Sequence, residues 1–155
     1  MAIKKPIVLT NGQLERLQPG DRIDVGNSSN KNNNSGGAIV IGQPVYVNGV
    51  NVDLAQADAQ STIRVAGLVV DITVADASPA EIVVDGILTA TTGQWDAVTG
   101  QVGGLTPGAD YFLSAGTAGQ MSTTAPSANG EFVVRVGHAL STTEFEIEIQ
   151  QPIKL

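Results

Sequence analysis

The chain has 155 residues, 42% of them hydrophobic but only 15% charged and 4% aromatic, the size of one domain whose core is built from Val, Ile, Leu and Ala. That balance excludes a disordered chain and a coiled coil, and the absence of cysteine excludes a disulfide framework, a thiolate metal site and a cysteine nucleophile. Eight bases against fifteen acids give a formal net charge of −7, the wrong sign for general contact with nucleic-acid phosphates.

The charge is unevenly spread. Residues 1–31 hold five bases against three acids, whereas 32–155 hold Arg64, Arg135 and Lys154 against twelve acids. This predicts a basic arm resting on an acidic surface, of its own body or of a partner. Within the arm, Pro6-Ile-Val-Leu-Thr10 and Gln13-Leu-Glu-Arg-Leu17 flank Asn11-Gly12, a dipeptide that takes up the positive φ angles of a type I′ turn, so a β-hairpin is expected. Pro19-Gly20-Asp21 makes a second turn, and Ile23 and Val25 alternate briefly. An isolated two-stranded hairpin is marginal in water, so the arm, residues 1–25, is expected to dock. No apolar run approaches the ~20 residues that cross a bilayer. The run after Lys4 and Lys5 stops at Thr10-Asn11-Gly12, short of a signal peptide, so a chain made in the cytoplasm with no membrane partner is expected.

Residues 26–37, Gly-Asn-Ser-Ser-Asn-Lys-Asn-Asn-Asn-Ser-Gly-Gly, contain no apolar side chain. Burial cannot offset their ordering entropy, so they read as an Asn/Ser/Gly-rich linker or a long surface loop before a body at 38–155.

From residue 38 onward, short β-rich runs are predicted at 38–41, 45–47, 50–54, 63–70, 81–84, 87–91, 111–114, 121–123, 132–136 and 143–149. Asn48-Gly49, Asp85-Gly86, Gly103-Gly104 and Pro107-Gly108 punctuate them. The pattern predicts an all-β fold, a small β-barrel or β-sandwich, β-tulip or jelly-roll-like, with an extended N-terminal arm. In the last run Glu144, Glu146 and Glu148 alternate with Phe145, Ile147 and Ile149, which puts the acids on a solvated face and the apolar residues on the core. Helix is confined to two short candidates: 54–60, which Asp53 would cap, and 93–98, carrying Trp95 with Thr91 or Thr92 as cap. Trp95, the only tryptophan, is expected to close one end of the core. Finally, Gln43-Pro-Val-Tyr-Val47 with Ile63-Arg-Val-Ala-Gly-Leu68 can be laid on Ala109-Asp-Tyr-Phe-Leu113 with Val133-Val-Arg-Val-Gly-His-Ala-Leu140. Each half runs strand, turn, polar loop and strand, the mark of a diverged internal duplication.

Catalytic patterns are thin. His138 is the only histidine and sits in a predicted strand; one imidazole without cysteine assembles neither a triad nor a His-rich metal site, and it reads as structural. Ser114, in Leu-Ser-Ala-Gly, lacks the first glycine of a nucleophile elbow. Asp71, Asp76, Glu81 and Asp85 crowd one region, but glycoside hydrolysis needs two carboxyls set across an aromatic-lined cleft, and this chain has one Trp, two Tyr and three Phe. Gly100-Gln-Val-Gly-Gly104 lacks the lysine and the strand-to-helix setting of a phosphate cradle. No catalytic residue, cofactor or metal is expected, and the chain reads as a non-enzyme.

Four segments resemble virion proteins of tailed bacteriophages. They are Lys5-Pro-Ile-Val-Leu-Thr-Asn-Gly-Gln-Leu-Glu-Arg-Leu-Gln-Pro-Gly-Asp21, Gln94-Trp-Asp-Ala-Val-Thr-Gly100, Gly103-Gly-Leu-Thr-Pro-Gly-Ala-Asp-Tyr-Phe-Leu-Ser114 and Val136-Gly-His-Ala-Leu-Ser141. All are turn and strand signatures. Within that group the chain is similar to capsid decoration (cement) and head-fibre proteins. The resemblance implies a homotrimer on the outer surface of the virion, an extended arm crossing neighbouring copies of the major capsid protein, and a stabilised lattice. Ile3, Lys4, Lys5, Pro6, Ile7, Val8 and Leu9 are the expected contact residues, because an extended apolar segment with two lysines can add a strand to a sheet edge and meet acidic neighbours. A tail-fibre or tail-spike module that anchors to the tail and binds a host receptor is the alternative; it lacks a shaft and a fibre repeat.

Overall fold

The computed structural model describes residues 7–10, 13–16 and 28–155. Strands β1 (Ile7–Thr10) and β2 (Gln13–Arg16) pair antiparallel with Leu9 opposite Leu14 and Thr10 opposite Gln13, the hairpin ladder expected around Asn11-Gly12. Among the described residues they join no other sheet.

The body is all-β and sandwich-like, built of antiparallel sheets with one short helix, and no sheet closes on itself among the described residues. Its first half contains β3 (Ser28–Asn32), β4 (Ile39–Val40), β5 (Pro44–Asn48), β6 (Asn51–Leu54), β7 (Val65–Val69), β8 (Thr73–Val74) and β9 (Pro79–Val83). Its second half contains β10 (Gly86–Thr89), α1 (Thr92–Thr99), β11 (Asp110–Leu113), β12 (Met121–Ser122), β13 (Phe132–Val133), β14 (Arg135–Ala139), β15 (Glu144–Ile147) and β16 (Ile153–Lys154).

The two five-stranded sheets repeat one topology. The first runs β3-β9-β7-β5-β6 and the second β10-β15-β14-β11-β12, so the strands of each half, taken in chain order, stand first, fifth, fourth, second, third. Local irregularities repeat as well. The β5–β7 register shifts between Val45 and Tyr46, and the β11–β14 register shifts between Tyr111 and Phe112, the positions the sequence alignment superimposes. Gly67 stands opposite Val45 and Gly137 opposite Tyr111. A Cβ on Gly67 would strike the Val83 carbonyl and Ile82, and one on Gly137 the Glu146 carbonyl and Phe145. Each half therefore needs a glycine where a bulged strand presses against its neighbour.

Apolar side chains fill two cores. The smaller lies in the first half and holds Ile39, Val45, Val52, Val69, Val74, Ala80 and Ile82. The larger centres on Trp95, Tyr111 and Phe145 in the second half and takes in Ile41, Ala55, Ile63 and Leu68 from the first, with Tyr46, Val65 and Val83 packed against it. Trp95 is 0% exposed, its ring lies 5.5 Å from that of Phe145, and its Nε1–H donates to the Thr143 carbonyl at 3.0 Å. Gly42 of the first half lies so close to the indole that a Cβ there would approach it at 2.6 Å. The expected closure of the core by Trp95 is therefore also the seam between the halves.

Three expectations need correction. Residues 28–33 of the stretch expected as a linker or loop over 26–37 are neither: β3 pairs with β9 along its length and Asn33 is 1% exposed, while 34–37 form a surface bend. Asn33 Nδ2 donates to the carbonyls of Gly37 and Val74, its Oδ1 accepts from Ser35 N–H, and its backbone bridges to Val52. Backbone ladders and amide hydrogen bonds offset the ordering entropy here without apolar burial. The 54–60 helix does not form. Leu54 ends β6, the Asp53 carboxylate accepts from Leu54 N–H, and the chain then runs through turns. The single strand expected at 132–136 is two, β13 and β14, parted at Val134.

Candidate functional site

Of the seven expected contact residues, Ile7, Val8 and Leu9 lie in β1, opposite Arg16, Glu15 and Leu14 of β2. Ile3, Lys4, Lys5 and Pro6 lie outside the described residues. Among the described residues neither strand pairs with a further strand, and an unpaired strand edge is the geometry that strand addition uses.

The three body segments that carry the resemblance form one assembly. Helix α1 is closed at its start by a capping box: Thr91 Oγ1 accepts from Gln94 N–H, and Gln94 Oε1 accepts from Thr91 N–H at 2.8 Å. It stops at Gly100, whose φ of 69° is the left-handed turn that glycine takes without strain. Asp96 then accepts the backbone N–H groups of Gly103 and Gly104 at 3.2 and 2.6 Å, pinning the following loop to the helix. Tyr111, 0% exposed, donates its hydroxyl to Gln101 Oε1 at 2.6 Å and accepts from Thr106 N–H at 2.8 Å. Ala139 N–H in turn donates to the Ala109 carbonyl. These segments satisfy buried polar groups and pack the larger core; their chemistry is structural.

The solvent side of the second sheet carries the main ionic cluster. Strand pairing sets Asp110 opposite His138 and His138 opposite Glu146, with Phe112 opposite Arg135. Arg135 is only 17% exposed at its side chain and holds Asp110 through Nε and Glu148 through Nη1, each at 2.8 Å. His138 sits between Glu146, 3.3 Å from Nε2, and Glu148, 3.7 Å from Nδ1. The hydrogen bonds and charge of Arg135 hold the Glu148 carboxyl below the usual carboxylate range, and the bond to Glu148 raises the Arg135 guanidinium. Ser141 Oγ donates to Glu144. The arrangement offers a fixed pattern of charge, with Glu148 and Asp110 turned onto one guanidinium rather than open to a cation.

The sequence placed Glu144, Glu146 and Glu148 on one face but did not reveal Arg135 or Asp110 as their neighbours. That contact follows from the fold: β14 pairs with β11, which sets Arg135 opposite Phe112, two residues from Asp110. The crowded acids of the first half also do structural work: Asp71 accepts from Glu81 N–H at 2.7 Å and Asp76 from Gly36 N–H at 3.1 Å. Among the described residues no helix is long and apolar enough to cross a membrane. No protein-family model and no curated protein sequence matches the chain.

Proposed function

We propose that this chain is a structural virion protein that binds the outer surface of a bacteriophage capsid and stabilises the lattice of the major capsid protein. On this reading it is made in the host cytoplasm, acts as a homotrimer, and uses no catalysis, cofactor, nucleic acid or membrane. The observation that carries the reading is a division of labour. The β1–β2 pair, which includes Ile7, Val8 and Leu9, joins no other sheet among the described residues, while the three body segments that resemble virion proteins are spent on packing and capping. A basic, apolar segment whose strands pair with no other sheet among the described residues is suited to adding a strand to an acidic neighbour.

Co-sedimentation with assembled capsid shells that lack this protein tests the reading. The full chain is expected to pellet with the shells. A variant lacking residues 1–25 is expected to stay in the supernatant with its thermal midpoint unchanged, because the body's first strand begins at Ser28. Equal pelleting of both would remove the arm's role, and pelleting of neither would remove the capsid. Association with isolated tails instead would favour the fibre module.

A further inference from the structure

A groove on the acidic body is lined by two bases. Among residues 32–155 the only bases are Arg64, Arg135 and Lys154. Arg135 is held by Asp110 and Glu148, but neither Arg64 nor Lys154 makes an ion pair with any described residue. Both unpaired cations line the same depression. It consists of two adjoining cavities of about 160 and 190 Å³ that share Ile63, Arg64, Gln151 and Pro152. One extends toward Ile149, the other toward Phe132 and Lys154.

Three properties define what fits. Each cavity is smaller than the several hundred Å³ of a drug-sized ligand site, so the groove grips side chains in succession rather than enclosing a cofactor. Its lining combines cationic and amide donors (Arg64, Lys154, Gln151) with Pro152, over a floor of the buried core residues Ile63 and Phe132. One wall is β16, which pairs with β13 through Phe132–Lys154 and Val133–Ile153 and has no second strand beside it among the described residues. An open strand edge with pockets beside it is the geometry that receives an extended peptide.

We propose that this groove docks an extended acidic peptide segment of a partner protein, its carboxylates on Arg64 and Lys154 and an intervening side chain against the half-buried Pro152. Charge complementarity selects the occupant: the groove brings Arg64 and Lys154, neither ion-paired with a described residue, together on a body with twelve acids, so it favours carboxylates over neutral or cationic side chains. None of the lining residues named for this site belongs to the arm, and the proposal does not rest on the capsid reading.

The test is fluorescence anisotropy with the full chain and three labelled hexapeptides, (Leu-Glu)₃, (Leu-Gln)₃ and (Leu-Lys)₃. Saturable binding of the Glu peptide is expected, weakened at least ~10-fold for the Gln peptide and absent for the Lys peptide, and falling with added salt. The Arg64→Gln and Lys154→Gln variants are each expected to weaken the Glu peptide several-fold, and the double variant to abolish its binding. Lys31→Gln, which removes the same charge from a residue that does not line the groove, is expected to leave it unchanged. Thermal melts confirm that each variant is folded. Equal affinity for the Glu and Gln peptides, or equal losses in Lys31→Gln and the groove variants, would overturn the proposal. So would an absence of peptide binding combined with self-association that the double variant disrupts, which would assign the groove to a second copy of this chain.

Discussion

The two halves of the body share strand order, bulge position and a close-packed glycine, yet their sheets meet different surroundings. In the first sheet both faces are apolar: Val45, Val69 and Ile82 enter the small core, while Tyr46, Leu68 and Val83 turn to the large one. In the second sheet Tyr111, Ala139 and Phe145 enter the large core, and the opposite face carries Asp110, Arg135, His138 and Glu146. Position for position, Leu68 of the first half matches His138 of the second, and Val83 matches Glu146. One backbone plan thus serves as an inner layer or an outer one according to the residues on a single face. The charged face ends the stacking, as the polar outer face of a capping repeat does.

Substitutions that strike the seam break this comparison most severely. Trp95→Ala removes the indole that touches Gly42, Phe145 and Thr143, and is expected to cost about 3–5 kcal/mol in chemical denaturation. The matched pair Leu68→Ala and His138→Ala separates the layers. The first, at a fully buried position, is expected to cost ~2–5 kcal/mol, and the second, on the solvent face, to stay within about 0.5–1 kcal/mol of the parent. Similar losses at both positions would mean that the second face is also covered. Gly67→Ala and Gly137→Ala test the shared bulge. Each is expected to lose ~1–3 kcal/mol or more, because the new methyl meets a neighbouring strand's carbonyl, and unequal effects would show that the halves no longer share this contact.

Gly93→Ala has the opposite sign. Gly93 lies in α1 with open space around its Cα, so alanine is expected to stabilise by ~0.5–1 kcal/mol.

Smallest is a pH effect confined to the second half. Glu148 has its pKa lowered by Arg135, so its contribution is complete above the ordinary carboxylate pKa of ~4.3 and is lost as pH falls through the lowered folded value. Thermal midpoints of Glu148→Gln are expected to lie slightly below the parent at neutral pH and to converge with it in acid; a constant offset would deny the ion pair its role.

How far the sequence reads depends on what holds each segment. Strands with apolar residues on one or both faces, such as Pro44–Asn48, Val65–Val69 and Glu144–Ile147, show their period directly, and the duplication was visible because both halves keep a glycine at the bulge. Ser28–Asn32 was illegible for the opposite reason: its sequence, Ser-Ser-Asn-Lys-Asn, buries no apolar side chain and is held by the backbone ladder to β9. Asn33 is anchored by its amide, which hydrophobic periodicity does not register. The helix expected at 93–98 shows in its cap, Thr91 being one of the two capping candidates, and the structure adds Gln94 as its capping-box partner. Asp53 instead turns its carboxylate onto Leu54 N–H, and Ala55 and Ala57 beyond it enter the larger core from turns rather than from a helix. The groove at Arg64 and Lys154 joins residues far apart in sequence, and only the fold brings them together.

An image reconstruction of the virion tests the central claim most directly, that the leading arm clasps a foreign lattice while the two-layered body lies outside it. The account predicts body-sized density repeated over the outer capsid surface, with a thinner connection reaching across adjacent capsid subunits. Density for this chain confined to the tail, or a body embedded in the shell with its arm pointing to solvent, would contradict it.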